Sequence, residues 1–250
     1  MSEIKIDLNA DLGERPEAIE SDAELMHFIS SANIACGGHA GDAESVRRMV
    51  EVARSLGVAV GAHPSYPDRA NFGRITMEID LAVLQRSLEE QVRLIAEVAA
   101  RLGTRVAHVK PHGALYHSAN SVEAVAGAIA NAVVAVDPSM IVVAQYGSAA
   151  LQCYDRAGLR TATEAFADRA YEPNGSLRSR SLSGSLLDED SAVEQALSIV
   201  LRGQVVTGDG STLPINPDTI CFHSDTPDAA SIGGRVRKAL ESEGVLIAAL

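Results

Sequence analysis

Seven short clusters rich in Asp, His, Lys and Glu recur along the chain, and most of them directly follow a short apolar run. They are DLNADLGE (7–14), NIACGGHAGD (33–42), GAHPSYPD (61–68), VKPHGALYH (109–117), QYGS (145–148), EAFADRAY (164–171) and CFHSDTPD (221–228). A strand followed by polar, Gly- and Pro-marked residues and then by a helix is the pattern of a βα unit. In barrels of such units the reactive groups collect at the carboxyl ends of the strands. The clusters are therefore predicted to converge on one pocket, which favours an enzyme.

The first cluster places acidic groups on and just after a strand. Side chains alternate across a strand, so Asp7 and Asn9 are predicted to point into the barrel, with Asp11 and Glu14 in the loop above. Carboxylates rarely enter a core unpaired. A structural pairing explains Asp7 as well as a function does, whereas Asp11 is a candidate catalytic residue.

Two histidines follow the next strands. His39 comes after Gly37-Gly38, and glycines allow a backbone to approach a ligand closely; His63 precedes Pro64 at a strand end. Both are candidate catalytic residues. One Asp with two His, here Asp11, His39 and His63, also suits a divalent ion, and the sequence leaves open whether a metal binds.

The segment VKPHGALY carries the densest chemistry. Lys110 shares the predicted inner face of its strand with His108, and a Lys at a barrel mouth can stabilise an oxyanion or bind a carboxylate. His112 is a candidate general acid or base because its ordinary pKa lies near neutrality. His108, deeper in the strand, is better explained as a hydrogen-bonded core residue. Tyr116 fits packing and ligand contact equally well.

The last two clusters supply candidate substrate contacts. Glu164 ends a strand and is followed by Asp168 and Arg169, whose guanidinium could clamp a substrate carboxylate. The alternative is that Asp168 and Arg169 help to fix a loop through an ion-pair network. His223 shares a strand face with Cys221, and the pattern leaves its role open.

Strand-like runs are predicted at Ile4–Leu8, Ala32–Ala35, Val58–Gly61, Val106–Val109, Ile141–Ala144, Thr161–Glu164, Thr219–Phe222 and, as a possible eighth, Val245–Ala248. Apolar residues at helical spacing follow a predicted N-cap at Asp42 up to Gly57, run from Leu84 to Leu102, and follow a predicted N-cap at Thr226-Pro227. This alternation predicts parallel βα units in one domain over residues 1–250, an α/β barrel of the TIM type. Two stretches interrupt it: 170–187 is predicted to be a long loop or lid, and 204–215 a β-hairpin.

Composition narrows the class of partner and compartment. The 250 residues carry a net charge of −12, which argues against nucleic acid and anionic membranes as partners. No apolar run reaches the length of a membrane span or signal core, so a cytoplasmic protein is expected. The chain has no GxxxxGK[ST] phosphate loop and no GxGxxG after a strand, so nucleotide chemistry is not expected within it.

As a set, these motifs resemble the LamB/YcsF family, the A subunit of bacterial and archaeal 5-oxoprolinases. Ala10, Gly38, Asn71 and Ser224 stand where the family commonly has Cys, Phe, Gly and Gly. The resemblance implies a seven-stranded barrel related to the glycoside hydrolase/deacetylase fold. It also implies ATP-dependent opening of the 5-oxo-L-proline lactam to glutamate together with B and C subunits, with the ATP used on those partners.

The expected roles follow from residue type and placement. Water would be activated by one of Asp11, His39, His63 and His112, and Lys110 would stabilise charge on the lactam oxygen. The expected substrate contacts are Asn9, Tyr116, Glu164, Asp168, Arg169 and His223, with Arg169 binding the carboxylate of the small anionic substrate. Two alternatives stay open: a metal-dependent carbohydrate deacetylase, and a non-catalytic subunit that binds a small molecule.

Overall fold

A computed structural model of the protein describes residues 4–223 and 229–250, apart from the side chains of Pro16 and His223. Seven parallel strands close into a barrel, which confirms the predicted fold class. They are β1 (Lys5–Leu12), β2 (Ser31–Ala35), β3 (Ala59–His63), β4 (Val106–Val109), β5 (Ile141–Gln145), β6 (Arg160–Phe166) and β9 (Thr219–His223). The barrel closes because β1 pairs with both β2 and β9, and β9 also pairs with β6.

The strand predicted at Val245–Ala248 exists but lies outside this closure. It is the two-residue strand β10 (Leu246–Ile247), which pairs with the first residues of β1 at Lys5 and Ile6. The closed part of the barrel therefore has seven strands, as the resemblance implied.

The alternating pattern of β1 explains how the barrel obtains a polar interior. Ile6, Leu8, Ala10 and Leu12 are buried in the apolar core, whereas the alternate residues bond across the barrel. The predicted strand stopped at Leu8, well short of its observed end at Leu12, because the polar residues that follow looked like a loop. Asp11 is therefore a strand residue that faces the interior, and Glu14 follows the strand.

The helices packed around the barrel are α1 (Ile19–Leu25), α2 (Ala43–Leu56), α3 (Leu81–Arg101), α4 (Gly113–Ala119), α5 (Glu123–Val136), α6 (Ala149–Arg156), α7 (Glu189–Leu197) and α8 (Ala229–Ser242). The predicted start of α2 is confirmed, since Asp42 accepts hydrogen bonds from the backbone N–H groups of Glu44 and Ser45. Its predicted end is also confirmed, because Gly57 takes the left-handed conformation with φ of 71°. The cap predicted at Thr226-Pro227 lies outside the described residues.

Both predicted interruptions of the alternation are present. Strands β7 (Gln204–Val206) and β8 (Thr212–Pro214) form an antiparallel hairpin. The stretch 170–187 contains no helix and is tied to the hairpin by the bond from the Gly208 N–H to the Tyr171 carbonyl. Within the described ranges, no single helix is long and apolar enough to cross a membrane; α4 and α5 meet that test only as a pair bent by 113°.

Candidate active site

A cavity of about 460 Å³ opens at the carboxyl ends of the strands, where the clusters were predicted to meet. Its polar lining includes Asp11, Glu14, His63, Lys110 and His112. The loop 170–187 closes one side through residues 177–180. Strands β1, β3 and β4, and the turns directly after them, thus deliver polar groups to one space.

Glu14, His39, His63 and His112 form a buried cluster beside this cavity, called the His/Glu cluster below. Glu14 Oε1 lies 3.0 Å from His39 Nε2, 3.2 Å from His112 Nδ1 and 3.8 Å from His63 Nε2. The rings of His39 and His112 stack with centroids 3.7 Å apart. One ligand atom from each of the four residues lies within 4.8 Å of the others, so the cluster could hold a metal ion.

Hydrogen bonds to carbonyl groups outside the cluster fix which ring nitrogens of His63 and His112 carry protons. His63 Nδ1 lies 2.7 Å from the Lys110 carbonyl, and His112 Nε2 lies 3.0 Å from the Phe72 carbonyl. Because a carbonyl only accepts, both nitrogens must donate an N–H. In neutral rings the inward nitrogens, His63 Nε2 and His112 Nδ1, then carry lone pairs, and they lie only 3.0 Å apart. Two facing lone pairs at this distance need a proton or a cation between them.

Burial and neighbouring charges shift the pKa values of the cluster residues in different directions. Burial would raise the pKa of Glu14, but hydrogen bonds from His112, when its Nδ1 is protonated, and from His39 hold that pKa well below its usual range. Burial lowers the pKa of His39 to about 4, with smaller effects of the same sign from His112 and His63. His63 is also buried, which opposes its charged form, yet the charges of Asp11 and Glu14 raise its pKa. Glu14 is thus an anion at neutral pH, and His63 is better stabilised as a cation than His39.

Lys110 connects the cluster to a second set of polar groups inside the barrel. Its Nζ lies 2.8 Å from Glu164 Oε1, 3.0 Å from Asp11 Oδ1, 3.2 Å from Asn9 Oδ1 and 3.0 Å from Cys221 Sγ. Burial opposes the charge on Lys110, but Asp11, Cys221 and Glu164 together raise its pKa well above the ordinary value. The ammonium is therefore charged at neutral pH, and acceptors surround it.

Three residues predicted to contact the substrate are hydrogen-bonded to one another or to neighbouring groups in this network. Asn9 donates to Glu164 Oε1 at 3.0 Å and to Thr219 Oγ1 at 2.7 Å. Tyr116 donates its hydroxyl to Glu164 Oε2 at 2.9 Å. Tyr116 lines the cavity, whereas Asn9 and Glu164 lie behind its surface.

Asp7 lies on the same inner face as Asn9, but further from the cavity. Its carboxylate accepts hydrogen bonds from the hydroxyls of Ser30, Ser31 and Thr219. These three bonds compensate a side chain that is almost completely buried. The structural interpretation of Asp7 is therefore the one that its contacts support.

His108 is a buried, hydrogen-bonded core residue, as predicted. Asn33 donates both amide protons to Asn9 and Asp11, so its oxygen must accept from His108 Nε2 at 2.8 Å. The ring lies directly against the strand β3. A Cβ placed on Gly61 would lie 2.0 Å from His108 Nε2, which explains why a glycine stands there.

Arg169 lines the cavity, but part of its guanidinium is committed to the loop. Its Nε donates to the Ser185 carbonyl at 3.3 Å and its Nη2 to the Arg178 carbonyl at 2.7 Å. Asp168 is completely buried, and its carbonyl accepts from the Leu187 N–H. The carboxylate clamp and the loop-fixing role are therefore not exclusive. The predicted contact His223 ends β9 beside Asp11, and its side chain lies outside the described residues.

Most of these residues were predicted from the sequence to lie together, but two features were not. Asp11 was predicted to join the histidines around an ion, whereas the group able to hold one contains Glu14, with Asp11 Oδ2 at 3.3 Å from His63 Nε2. Glu14 is the last residue of the motif DLNADLGE, and an acidic group at that position was the signal available for it. No role was predicted for Phe72 from the sequence.

Known proteins resemble this chain over nearly its whole length. The model of the LamB/YcsF family matches residues 6–250. The 5-oxoprolinase A subunit of Methylococcus capsulatus is 46% identical over 98% of this chain and 95% of its own length. The protein of the same name from Chloroflexus aggregans is 44% identical over 98% of both chains.

Solved structures agree with these sequence matches. A lactam utilization protein from Thermus thermophilus superposes with a TM-score of 0.92 at 39% identity, covering 99% of this chain and 100% of that one. A protein from Enterococcus faecalis described as a cellobiose-phosphate cleavage protein shares the fold, at 13% identity and a TM-score of 0.63 over 99% of this chain and 97% of its own. On the family match and the two relatives, the chain belongs to the LamB/YcsF family.

Proposed function

We propose that this chain is the A subunit of a 5-oxoprolinase and that it hydrolyses the lactam of 5-oxo-L-proline to L-glutamate. The observation that carries the proposal is the His/Glu cluster facing a cavity next to the Lys110–Asp11 pair. Membership of the family and the names of its relatives support the substrate.

The reaction requires a base, a place for negative charge and a proton donor. A water oxygen bonds to the lactam carbonyl carbon, the ring C–N bond breaks, and the nitrogen takes up protons to become the amine of glutamate. His39 is the weakest candidate base because it does not line the cavity. The proposal assigns proton acceptance from water to His63 with Asp11, whose Oδ2 lies 3.3 Å from His63 Nε2.

Lys110 is the proposed contact for the negative charge on the carbonyl oxygen. Its ammonium already has four acceptors, so a substrate oxygen must replace one of them. A thiol sulfur is a weak acceptor, which makes the 3.0 Å contact to Cys221 the one most easily exchanged. The exchange would leave both carboxylate contacts of Lys110 in place.

We also propose that the His/Glu cluster binds one divalent ion. The proposed ligands are Glu14, His39 and His112, since Glu14 Oε1 lies 3.0 Å from His39 Nε2 and 3.2 Å from His112 Nδ1. His63 is then left as the base. Such an ion would supply Lewis acidity. Metal analysis of the purified protein is expected to find about one ion per chain and much less in Glu14→Gln. A metal content equal in both proteins would contradict this site.

ATP and the partner subunits B and C complete the proposal. ATP would be used on the partners, since this sequence carries no phosphate loop. The cytoplasm is the proposed compartment, because ATP is available there.

The substrate is a small anion, and Arg74, Arg169, Arg178 and Arg180 line the cavity of a chain whose net charge is −12. Arg169 is the proposed clamp for its carboxylate.

The direct test is reconstitution. The chain would be combined with candidate B and C subunits, and glutamate formed from 5-oxoproline would be measured with and without ATP. Turnover should require all three proteins and ATP. Equal turnover without this chain would refute its role, and binding of 5-oxoproline with no turnover in any combination would favour a non-catalytic binding subunit.

A second candidate is metal-dependent hydrolysis of a different amide, as in carbohydrate deacetylases, and the His/Glu cluster favours it. This alternative needs neither ATP nor partners. Release of acetate from N-acetylated sugars by the isolated, metal-loaded chain would support it and count against the lactam.

A further inference from the structure

Phe72 has a backbone conformation that its side chain disfavours. Its φ is +56°, and it is the one non-glycine residue with positive φ among residues 4–223 and 229–250. A bulky residue in the left-handed region is an outlier that calls for an explanation. Phe72 lies in the turn between β3 and α3, next to the His/Glu cluster rather than at a distant surface.

Hydrogen bonds from three directions fix this turn. The Phe72 N–H donates to the Arg69 carbonyl at 3.3 Å, and the Gly73 N–H donates to the Asp68 carbonyl at 2.8 Å. The Gly73 carbonyl in turn accepts from the Ala114 N–H at 3.0 Å, which joins the turn to the start of α4. The left-handed conformation is thus part of a defined structure that connects two of the βα loops.

The consequence of this conformation is the direction of the Phe72 carbonyl. It points at His112 Nε2, 3.0 Å away. Since that nitrogen must donate, its proton is held on the outer side of the ring, and in the neutral ring the lone pair of Nδ1 is turned toward Glu14 and His63. The aromatic ring of Phe72 also packs edge-on against His39 and His112, with centroids 5.3 and 5.6 Å away.

The neighbouring glycine shows why the turn sits so close to the cluster. Gly73 also has positive φ, and a Cβ there would lie 2.9 Å from His39 Cβ and 3.1 Å from His112 Cδ2. Only a glycine fits at position 73. Position 72 carries a phenylalanine, although Asn or Gly would adopt the same φ with less strain.

We propose that Phe72 is a positioning residue that acts through His112: its left-handed backbone aims the carbonyl that selects the Nε2–H tautomer of that ring. Its effect on turnover rests on the proposed function, whereas its effect on the tautomer does not. A carbonyl behind an active-site or metal-binding histidine fixes both ring orientation and tautomer, and loss of such a partner commonly lowers affinity or activity roughly 10- to 100-fold.

Two substitutions separate the backbone effect from the ring. Phe72→Asn and Phe72→Val both remove the aromatic ring, but Asn tolerates positive φ whereas the β-branched Val resists it. The ring nitrogens of His112 would be observed by ¹⁵N NMR in chelator-treated protein, at a pH where the ring is neutral, with the signals assigned by their loss in His112→Gln. Wild type and Phe72→Asn should show Nε2–H, and Phe72→Val should show Nδ1–H or a mixture.

Turnover of the reconstituted complex would be measured on the same variants. Phe72→Val should lose about 10- to 100-fold more kcat than Phe72→Asn. If Phe72→Val does not fold, Phe72→Ala, which resists positive φ less strongly, replaces it in the comparison with Asn. The proposal would be overturned if wild-type His112 carried its proton on Nδ1. It would also be overturned if Phe72→Asn gave the same spectrum as Phe72→Val, or as Phe72→Ala where that variant replaces Val. Absent turnover with the expected spectra would instead count against the proposed function.

Discussion

Lys110→Met tests both the charge balance of the barrel interior and the chemistry assigned to it. The substitution keeps a long side chain but removes the ammonium that lies 2.8 Å from Glu164 and 3.0 Å from Asp11. Two buried carboxylates then lose their cation. Removing one partner of a buried ion pair typically costs about 3–5 kcal/mol in the free energy of unfolding. For a chain of this size, each kcal/mol lowers the melting temperature by about 2–4 °C, so a fall of about 6–20 °C is expected.

The stability part of this prediction is checked by thermal and denaturant unfolding. Lys238→Met is the matched control, because Lys238 is exposed on α8 and should change stability by less than about 0.5 kcal/mol. Adding Glu164→Gln to Lys110→Met removes one of the two uncompensated charges. The double variant should therefore recover about 0.5–3 kcal/mol relative to the sum of the two single changes.

The catalytic part is checked in the reconstituted complex. Loss of an oxyanion contact lowers kcat by roughly 10²–10³, and Glu164→Gln should not restore it, because the ammonium is still missing. Recovery of stability without recovery of activity is thus the expected result. A Lys110→Met protein as stable as wild type would refute the charge argument, and normal turnover would refute the oxyanion role.

Three further predictions concern single positions. Gly61→Ala should destabilise the protein by about 1–3 kcal/mol because its Cβ meets the His108 ring. Gly127→Ala, in α5 with open space around it, should be neutral or stabilising by up to about 1 kcal/mol. Equal effects of the two substitutions in denaturant unfolding would contradict the packing argument. Burial lowers the pKa of His108 to about 3, below its unfolded value of about 6.5, so the unfolded state binds the proton first as the pH falls. The free energy of unfolding should therefore decrease as the pH is lowered from about 6.5 to 3, by up to about 1.4 kcal/mol per pH unit. This decrease should be shallower in His108→Gln, and an unchanged slope in acid unfolding would exclude His108 as a cause. Arg169→Lys keeps a charge but not the planar fork, so KM for 5-oxoproline should rise; unchanged kinetics in both the Lys and Ala variants would leave Arg169 a loop-fixing role alone.

The barrel and most members of the site could be predicted from the sequence, for a physical reason. Polar residues at the ends of apolar runs mark the carboxyl ends of parallel strands, and barrel closure brings those ends together. His63 and Lys110 were found in this way. The strand that carries Asp11 was predicted too short because its inner face is polar, so local pattern could not distinguish it from a loop.

Contacts that depend on where a side chain or a carbonyl group points in the folded protein could not be predicted from the sequence. Glu14 faces His39 and His112 because β1 and the turn after it bring its carboxylate over the barrel mouth. The tautomer of His112 depends on the carbonyl direction at Phe72, and no side-chain pattern encodes the φ of that residue. Both features arise from tertiary packing, which single-sequence periodicity does not report.

The His/Glu cluster of this chain is proposed to open the lactam. The most direct measurement is formation of glutamate from 5-oxoproline by the complete, ATP-supplied complex built with either the wild-type chain or the His63→Gln variant, whose folding is verified by its melting temperature. We expect turnover with the wild-type chain and a loss of at least about 10² in kcat with the variant, because a general base contributes roughly 10² to 10⁴ in rate. A folded His63→Gln chain that supports normal turnover would contradict the claim.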